Sequence, residues 1–290
     1  MLSSALLASV GLSAIVSAVC DRALLQNATS QYVTAQNIGS SSALTYLAPN
    51  VTYTENEKSL DIKTGVLSQA LKLDHNRSIH DTTGCATFTE LIAASDPHPY
   101  VIGTRMQFGS DSKIAKIESI VTDQGDWLFN ATGYLHWDSL EKWDPIPEDK
   151  RDTYATIKAA GDAYFDRFKN ENQTVPWGTP CARLEGGAYT DSSGKGGNTC
   201  NLGVPSTIVV TNRRYVVDEE MGTVDILLGF PQLDMTVPNQ SMPDSHMFRV
   251  EGGKIRYIHT VSSCVTPGCG ANFTSIPGRR RQLRPSRRLY

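Results

Sequence analysis

Between Asp244 and Val261 the chain reads DSHMFRVEGGKIRYIHTV, with apolar and polar residues alternating on either side of Gly252-Gly253. Period-two alternation around a two-glycine turn predicts a β-hairpin. Registering the strands on that turn pairs Val250 with Ile255, Phe248 with Tyr257 and His246 with His259, and side-chain alternation puts all six on one face. That face is apolar and ends in two imidazoles, as a pocket wall would. The other face carries Arg249 with Arg256, Met247 with Ile258 and Glu251 with Lys254, and reads as the wetter side.

The same pattern occurs earlier. KIAKIESIVT (Lys113 to Thr122) parallels KIRYIHTVSS (Lys254 to Ser263), and each follows a strand-like run and a turn. Upstream, helix-like segments with a central tyrosine, NATSQYVTAQ and IKAAGDAYFDRF, precede VTYTEN and CARLEGG, which aligns Glu55 with Glu185, Tyr53 with Arg183 and Glu118 with His259. Each half reads as a helix, a short strand, a variable middle and long antiparallel strands, an α+β order that differs from alternating βαβ. A curved antiparallel sheet on helices encloses a conical pocket. The boundary falls in the Pro- and charge-rich EKWDPIPEDKRD, giving a first domain over residues 19–142 and a second over 143–275.

The first 20 residues, MLSSALLASVGLSAIVSAVC, carry no charge and run to the small residues Val16-Ser17-Ala18, which predicts a signal peptide over 1–18. Seven N-x-S/T sequons, at Asn27, Asn50, Asn76, Asn130, Asn172, Asn239 and Asn272, predict a secreted or lumenal glycoprotein without a membrane span. Six cysteines in that compartment imply disulfides. Of the fifteen pairings, spacing favours Cys264 with Cys269 and Cys181 with Cys200, which leaves Cys20 to pair with Cys85. The net charge of −3 includes six arginines in the last twelve residues, so the rest sums to −9. An acidic body argues against a nucleic-acid partner, and residues 276–290 read as a disordered basic tail.

The helix-then-curved-sheet order resembles the SnoaL-like, ketosteroid-isomerase-like superfamily with the nuclear-transport-factor-2 fold, here in tandem. The strings DTTGCATFTELI, HPYVIGTRM, GDWLFNA, VPWGTPCARLEGGAYT, NRRYVVDEEMGTVDI and DSHMFRVEGGKIRYIHT are similar to a family of secreted fungal proteins that carry such a domain of unknown function. The resemblance spans roughly residues 20 to 263. It implies two cone-shaped domains and an open expectation of a homodimer through convex sheet faces. At the level of fold it extends to ketosteroid-isomerase-like proteins of fungal pathways that dimerise maleic anhydride monomers into maleidrides.

Candidate chemistry concentrates in the second half. His246, His259, Asp244, Tyr257 and Glu185 supply an acid, a base and an oxyanion donor, and Arg183 and Tyr215 supply binding groups, with Tyr53 and Glu55 their counterparts in the first half. Asp218, His80, Asp81 and Glu90 are nearby candidates. Arg183 and Glu185 alternatively pair with each other or fix the disulfide loop, and the histidines alternatively pack at a rim or bond a loop. His75 and His80 lack recognised metal-ligand spacing, and neither a metal nor a cofactor is expected. Trp127, Trp137, Trp143 and Trp177 stack a ligand or pack the core. These residues predict acid/base chemistry without a cofactor, and the resemblance implies an isomerase, cyclase or lyase of fungal secondary metabolism that cyclises or dimerises a polyketide-derived intermediate. The rival expectation is a non-catalytic secreted glycoprotein that binds a small hydrophobic ligand or a cell-wall component.

Overall fold

The structure is a computed structural model, described over residues 20–231, 240–266 and 268–269. The expected signal peptide, the basic tail, Asn239 and Asn272 lie outside these residues. The first half opens with α1 (Arg22–Ile38), whose N-terminus is capped by Asp21 accepting from Leu24 N at 2.7 Å and whose chain turns at Gly39 with φ 65°. Leu25, Ala28, Tyr32 and Ala35 recur at helical spacing and are buried against the sheet. The strands are β1 (Leu47–Glu55), β2 (Lys58–Ser59), β3 (His75–Asp81), β4 (Ala86–Ala93), β5 (Tyr100–Phe108) and β6 (Ile114–Thr122). After α2 (Ala131–Asp138), the second half repeats the plan with α3 (Tyr154–Arg167), β7 (Trp177–Glu185), β8 (Ala188–Tyr189), β9 (Thr211–Asp218), β10 (Thr223–Pro231), β11 (Ser241–Glu251) and β12 (Lys254–Ser262).

Two six-stranded sheets result, ordered β2-β1-β6-β5-β4-β3 and β8-β7-β12-β11-β10-β9. The class is α+β with two β-rich domains, as expected. The sheets are mixed, however, because β1 and β7 run parallel to the last strands β6 and β12. A strand joined to its neighbour only through the whole intervening meander is not constrained to the antiparallel direction that a hairpin imposes. The internal alignment holds in the pairing: Tyr53 and Arg183 lie opposite Ile117 and Ile258, so Glu118 and His259 occupy equivalent positions.

The hairpin register departs from the expectation. Val250–Ile255 and Glu251–Lys254 pair across Gly252 (φ 59°) and Gly253 (φ 67°), but a bulge follows, and Arg249 pairs with Tyr257, Met247 with His259 and His246 with Thr260. One extra residue, Arg256, moves every later β12 side chain to the other face relative to β11. His246 and His259 therefore point to opposite sides of the sheet. The first half bulges at the matching place, where Gln107 pairs with Lys116 and Phe108 with Ile114.

Each sheet covers its own helix on the concave side. The convex sides pack on each other, with Ile79, Phe88 and Ile120 from one sheet against Leu184, Leu227 and Met247 from the other. The hairpin's outer face is thus buried rather than wet: Met247 and Arg249 are 1% and 3% exposed. Burial on both faces explains why β4 and β10 read as nearly continuous buried runs. The convex surface expected to form a homodimer is occupied within the chain.

Reciprocal polar ties fix this packing. Asp218 accepts from Arg22 at 2.9 and 3.0 Å and from His80 N at 2.8 Å, while Asp81, at the equivalent strand end, accepts from Val217 N at 2.9 Å. α2, placed in the first domain by the sequence, packs against strands of both sheets. The disulfides are Cys20–Cys85, Cys181–Cys200 and Cys264–Cys269, the expected pairs, and they are compatible with a secreted protein. Among the described residues no helix is long and apolar enough to cross a membrane.

Candidate functional site

The concave side of the second sheet holds a cavity of about 110 Å³. Tyr164 and Phe168 of the α3 segment, Phe230 of β10 and Trp127 form apolar walls, and Asp244, His246, Glu185 and Thr260 lie among its polar lining. Trp127 comes from the loop between β6 and α2, so the connection between the halves contributes to the second domain's pocket.

Asp244 and His246 alternate along β11 and so share the inner face. Asp244 Oδ1 lies 2.5 Å from His246 Nδ1, and Asp244 Oδ2 accepts from the hydroxyl of Ser262, its cross-strand partner. Both carboxylate oxygens are engaged in a side chain with no exposed surface. A carboxylate on Nδ1 fixes the ring and its tautomer and leaves Nε2 outside that bond. This is an oriented acid/base pair at the wall of an apolar cavity.

Arg183 and Glu185 also face inward, in the arrangement of the alternative reading. Arg183 Nε lies 2.7 Å from Glu185 Oε1, and Nη1 and Nη2 donate to the carbonyls of Cys200 and Leu202 at 2.6 Å each. The guanidinium therefore ties the Cys181–Cys200 loop to the sheet, and it also engages the Tyr164 hydroxyl. Burial pushes the Tyr164 phenol well above its ordinary value, so it is a neutral hydrogen-bonding group.

His259 and Tyr257 lie on the outer face of β12, away from the cavity. His259 Nε2 is 2.7 Å from Glu141, and its Nδ1 is 3.1 and 3.2 Å from the two oxygens of Glu90, which also accepts from Tyr134 at 2.6 Å. Burial opposes charge on this imidazole, but Glu90 and Glu141 outweigh it and hold its pKa up to about 10. It is a fixed cation between the domains rather than a proton shuttle. Tyr257 tilts against Trp143 in the same layer. Tyr215 donates to Asp162 of α3 at 2.7 Å and lies under Lys158.

Glu90, Asp138 and His259 bring ligand atoms within 4.8 Å of one another, the spacing of a metal centre. Arg77 Nη1, however, lies 3.0 Å from Glu90 and 2.5 Å from Asp138. A guanidinium and an imidazolium already compensate these carboxylates, so the donor set does not fit a divalent cation. His75 and His80, on β3, are separated in the same way: His75 lies 3.2 Å from Asp138, and His80 Nε2 is 3.1 Å from Thr29. Burial pushes His80 down to about 4.

The first domain is an internal comparison. Positions equivalent to Asp244, His246 and Thr260 hold Ile102, Thr104 and Ser119, as read from matching strand pairs. Tyr32, Thr104 and Ser119 form a closed hydroxyl chain at 2.7 and 2.8 Å, and Tyr53 donates to Glu55, which also accepts from Val66 N. Tyr53, Val66 and Leu67 belong to the packed core there. The acid/base pair thus belongs to the second domain alone. Sequence reasoning singled out Asp244 and His246 but missed Thr260 and Ser262, because the bulge that turns them inward leaves no mark in the alternation.

Five sequon asparagines, Asn27, Asn50, Asn76, Asn130 and Asn172, are exposed. Asn130 also caps α2, its Oδ1 accepting from Gly133 N at 2.9 Å. Residues 150–262 match a family model described as "Domain of unknown function (DUF8021)", a stretch that begins just before α3 and ends with β12. The match covers the domain that holds the cavity and attaches no chemistry to it. No curated protein matches the chain.

Proposed function

We propose that the second domain is the working site of a cofactor-independent isomerase, cyclase or lyase, with His246 as the general base and acid and Asp244 as the residue that orients it. The observation that carries this reading is the Asp244–His246 pair, 2.5 Å apart on the wall of an apolar cavity, at positions where the first domain has Ile102 and Thr104. A titratable pair held by specific partners in a cleft is a candidate for chemistry, and the first domain has neither member at the equivalent positions.

The resemblance to SnoaL-like, ketosteroid-isomerase-like proteins points in the same direction, and its fungal members place such chemistry in secondary metabolism. Proton transfer next to a carbonyl, followed by isomerisation, ring closure or elimination, needs no group beyond a positioned base and a hydrogen-bond donor. The disulfides and exposed sequons fit a secreted or lumenal glycoprotein. A non-catalytic reading, with the cavity holding a small hydrophobic ligand, draws on the apolar walls formed by Trp127, Phe168 and Phe230.

A deletion strain complemented with wild type, His246→Ala or His259→Gln, and profiled by liquid chromatography and mass spectrometry, separates the two. The enzyme reading expects a precursor to accumulate with His246→Ala in protein that still folds. Wild-type metabolites with His246→Ala would leave the binding reading.

A further inference from the structure

The sequon Asn130-Ala131-Thr132 opens α2 and lies along the wall of a surface groove of about 440 Å³. Both halves of the chain build this groove. Pro99 comes from just before β5, Gln124 and Phe129 from the β6–α2 connection, and Gly187 and Ala188 from the turn between β7 and β8 and the start of β8. Pro99, Phe129 and Ala188 are half-buried and apolar, whereas Gln124 and Thr132 are exposed and polar. An apolar wall beside a few polar groups suits a pyranose ring, which presents C–H faces and hydroxyl edges.

Asn130 is exposed, yet it is held in one orientation. Its side-chain Oδ1 accepts from Gly133 N at 2.9 Å, its backbone N donates to Gly186 O at 2.6 Å, and its carbonyl accepts from Tyr134 N at 2.8 Å. Only the side-chain nitrogen is left without a hydrogen bond among the described residues. Because an amide is planar, fixing Oδ1 also fixes the direction in which Nδ2 projects. Gly133 serves this geometry twice, since it donates to the cap and a Cβ there would come within 2.7 Å of Nδ2. Asn27 is the contrast: its Nδ2 donates to the Tyr46 hydroxyl at 3.1 Å, and its sequon threonine, Thr29, is buried.

From this we infer that Asn130 carries an N-linked glycan whose first N-acetylglucosamine seats in this groove and braces the connection between the two halves. The inference is independent of any chemistry in the cavity. Transfer from a lipid pyrophosphate-linked oligosaccharide forms the bond from Nδ2 to C1 of the sugar, breaks the C1–O bond to the pyrophosphate, which leaves with the lipid, and releases one Nδ2 proton. Oδ1 takes no part and keeps its bond to Gly133 N. The sugar's apolar face then meets Phe129, Pro99 and Ala188, and its polar edge meets Gln124. A brace at this place also steadies Trp127, which belongs to the same connection and walls the second domain's cavity.

The full chain secreted from a yeast host, whose glycans are high-mannose, tests the seat directly. Site occupancy is mapped by mass spectrometry, and native protein is treated with a peptide-N-glycosidase, which cuts at Nδ2, or with an endoglycosidase that leaves the first sugar in place. We expect Asn130 to be occupied, and its glycan to be released by the peptide-N-glycosidase at least tenfold more slowly than those at the other occupied sites, with the difference gone after denaturation. Thr132→Ala abolishes the sequon but keeps Asn130 as the helix cap, and alanine at an exposed helical position is favourable in itself. It should nevertheless melt about 2–4 °C below wild type, the loss of roughly one hydrogen bond with its contacts, whereas endoglycosidase-trimmed wild type keeps the full Tm. An unoccupied Asn130, release as fast as at the other sites, or a Thr132→Ala protein that melts at or above trimmed wild type would each overturn the assignment. Should Thr132→Ala fail to be secreted, the release rates measured on wild type decide alone.

Discussion

Replacing His259 with glutamine should show that this histidine holds the domains together. Glutamine keeps polar atoms near Glu90 and Glu141 but removes the positive charge. The magnitude follows from linkage: a pKa of about 10 in the folded protein, against an unfolded value of about 6.5, corresponds to about 5 kcal/mol. Breaking one partner out of a buried ion pair costs about 3–5 kcal/mol, the same range. Because the folded value is raised, this stability is fully present below about pH 6.5 and is lost as pH climbs towards about 10. Urea unfolding of both proteins at about pH 6 and about pH 9.5 measures it. We expect His259→Gln to be less stable by several kcal/mol at the lower pH, with the gap closing at the higher one. Equal stability at about pH 6, or a gap that does not change with pH, would refute the reasoning.

Three other substitutions probe the same frame. Asp225 is fully buried between the sheets with Ser245 as a partner at 2.7 Å, and desolvation raises its pKa well above the ordinary range. Its ionisation opposes folding as pH rises past the unfolded value near 4, so Asp225→Asn should stabilise the protein by about 1–3 kcal/mol at neutral pH and much less near pH 4 in urea titrations. Arg22→Ala leaves Asp218 with only its backbone donors and should cost about 2 kcal/mol, read as a lower urea midpoint. Arg183→Lys cannot reproduce the planar fork on Glu185 and the two loop carbonyls, and should speed proteolysis within residues 186–202 while the fold persists.

The tandem α+β plan was legible because it rests on patterns that local sequence carries: helical spacing around Tyr32 and Tyr164, and paired G/S-K-I hairpins. The cysteine pairs were legible because Cys264–Cys269 and Cys181–Cys200 close short loops and leave one remaining pair. Asp244 and His246 were found for a local reason as well, two residues apart on one strand face. What failed was long-range. Arg256 is an ordinary residue in an alternating run, yet as a bulge it sends His259 and Tyr257 to the outer face. Nothing near His259 in sequence announces Glu90 and Glu141, 169 and 118 residues away. The same flip set Thr260 and Ser262 opposite His246 and Asp244, a pairing that exists only in the assembled sheet.

Proton transfer by His246 is the central claim, and the most direct test follows the proton. Purified wild type and His246→Ala are incubated in D₂O with a metabolite extract of the deletion strain, and deuterium uptake is read by mass spectrometry. The account predicts that wild type consumes one compound and forms a product carrying solvent deuterium, and that His246→Ala does neither. No change in the extract with wild type, or undiminished deuterium uptake with His246→Ala, would contradict it.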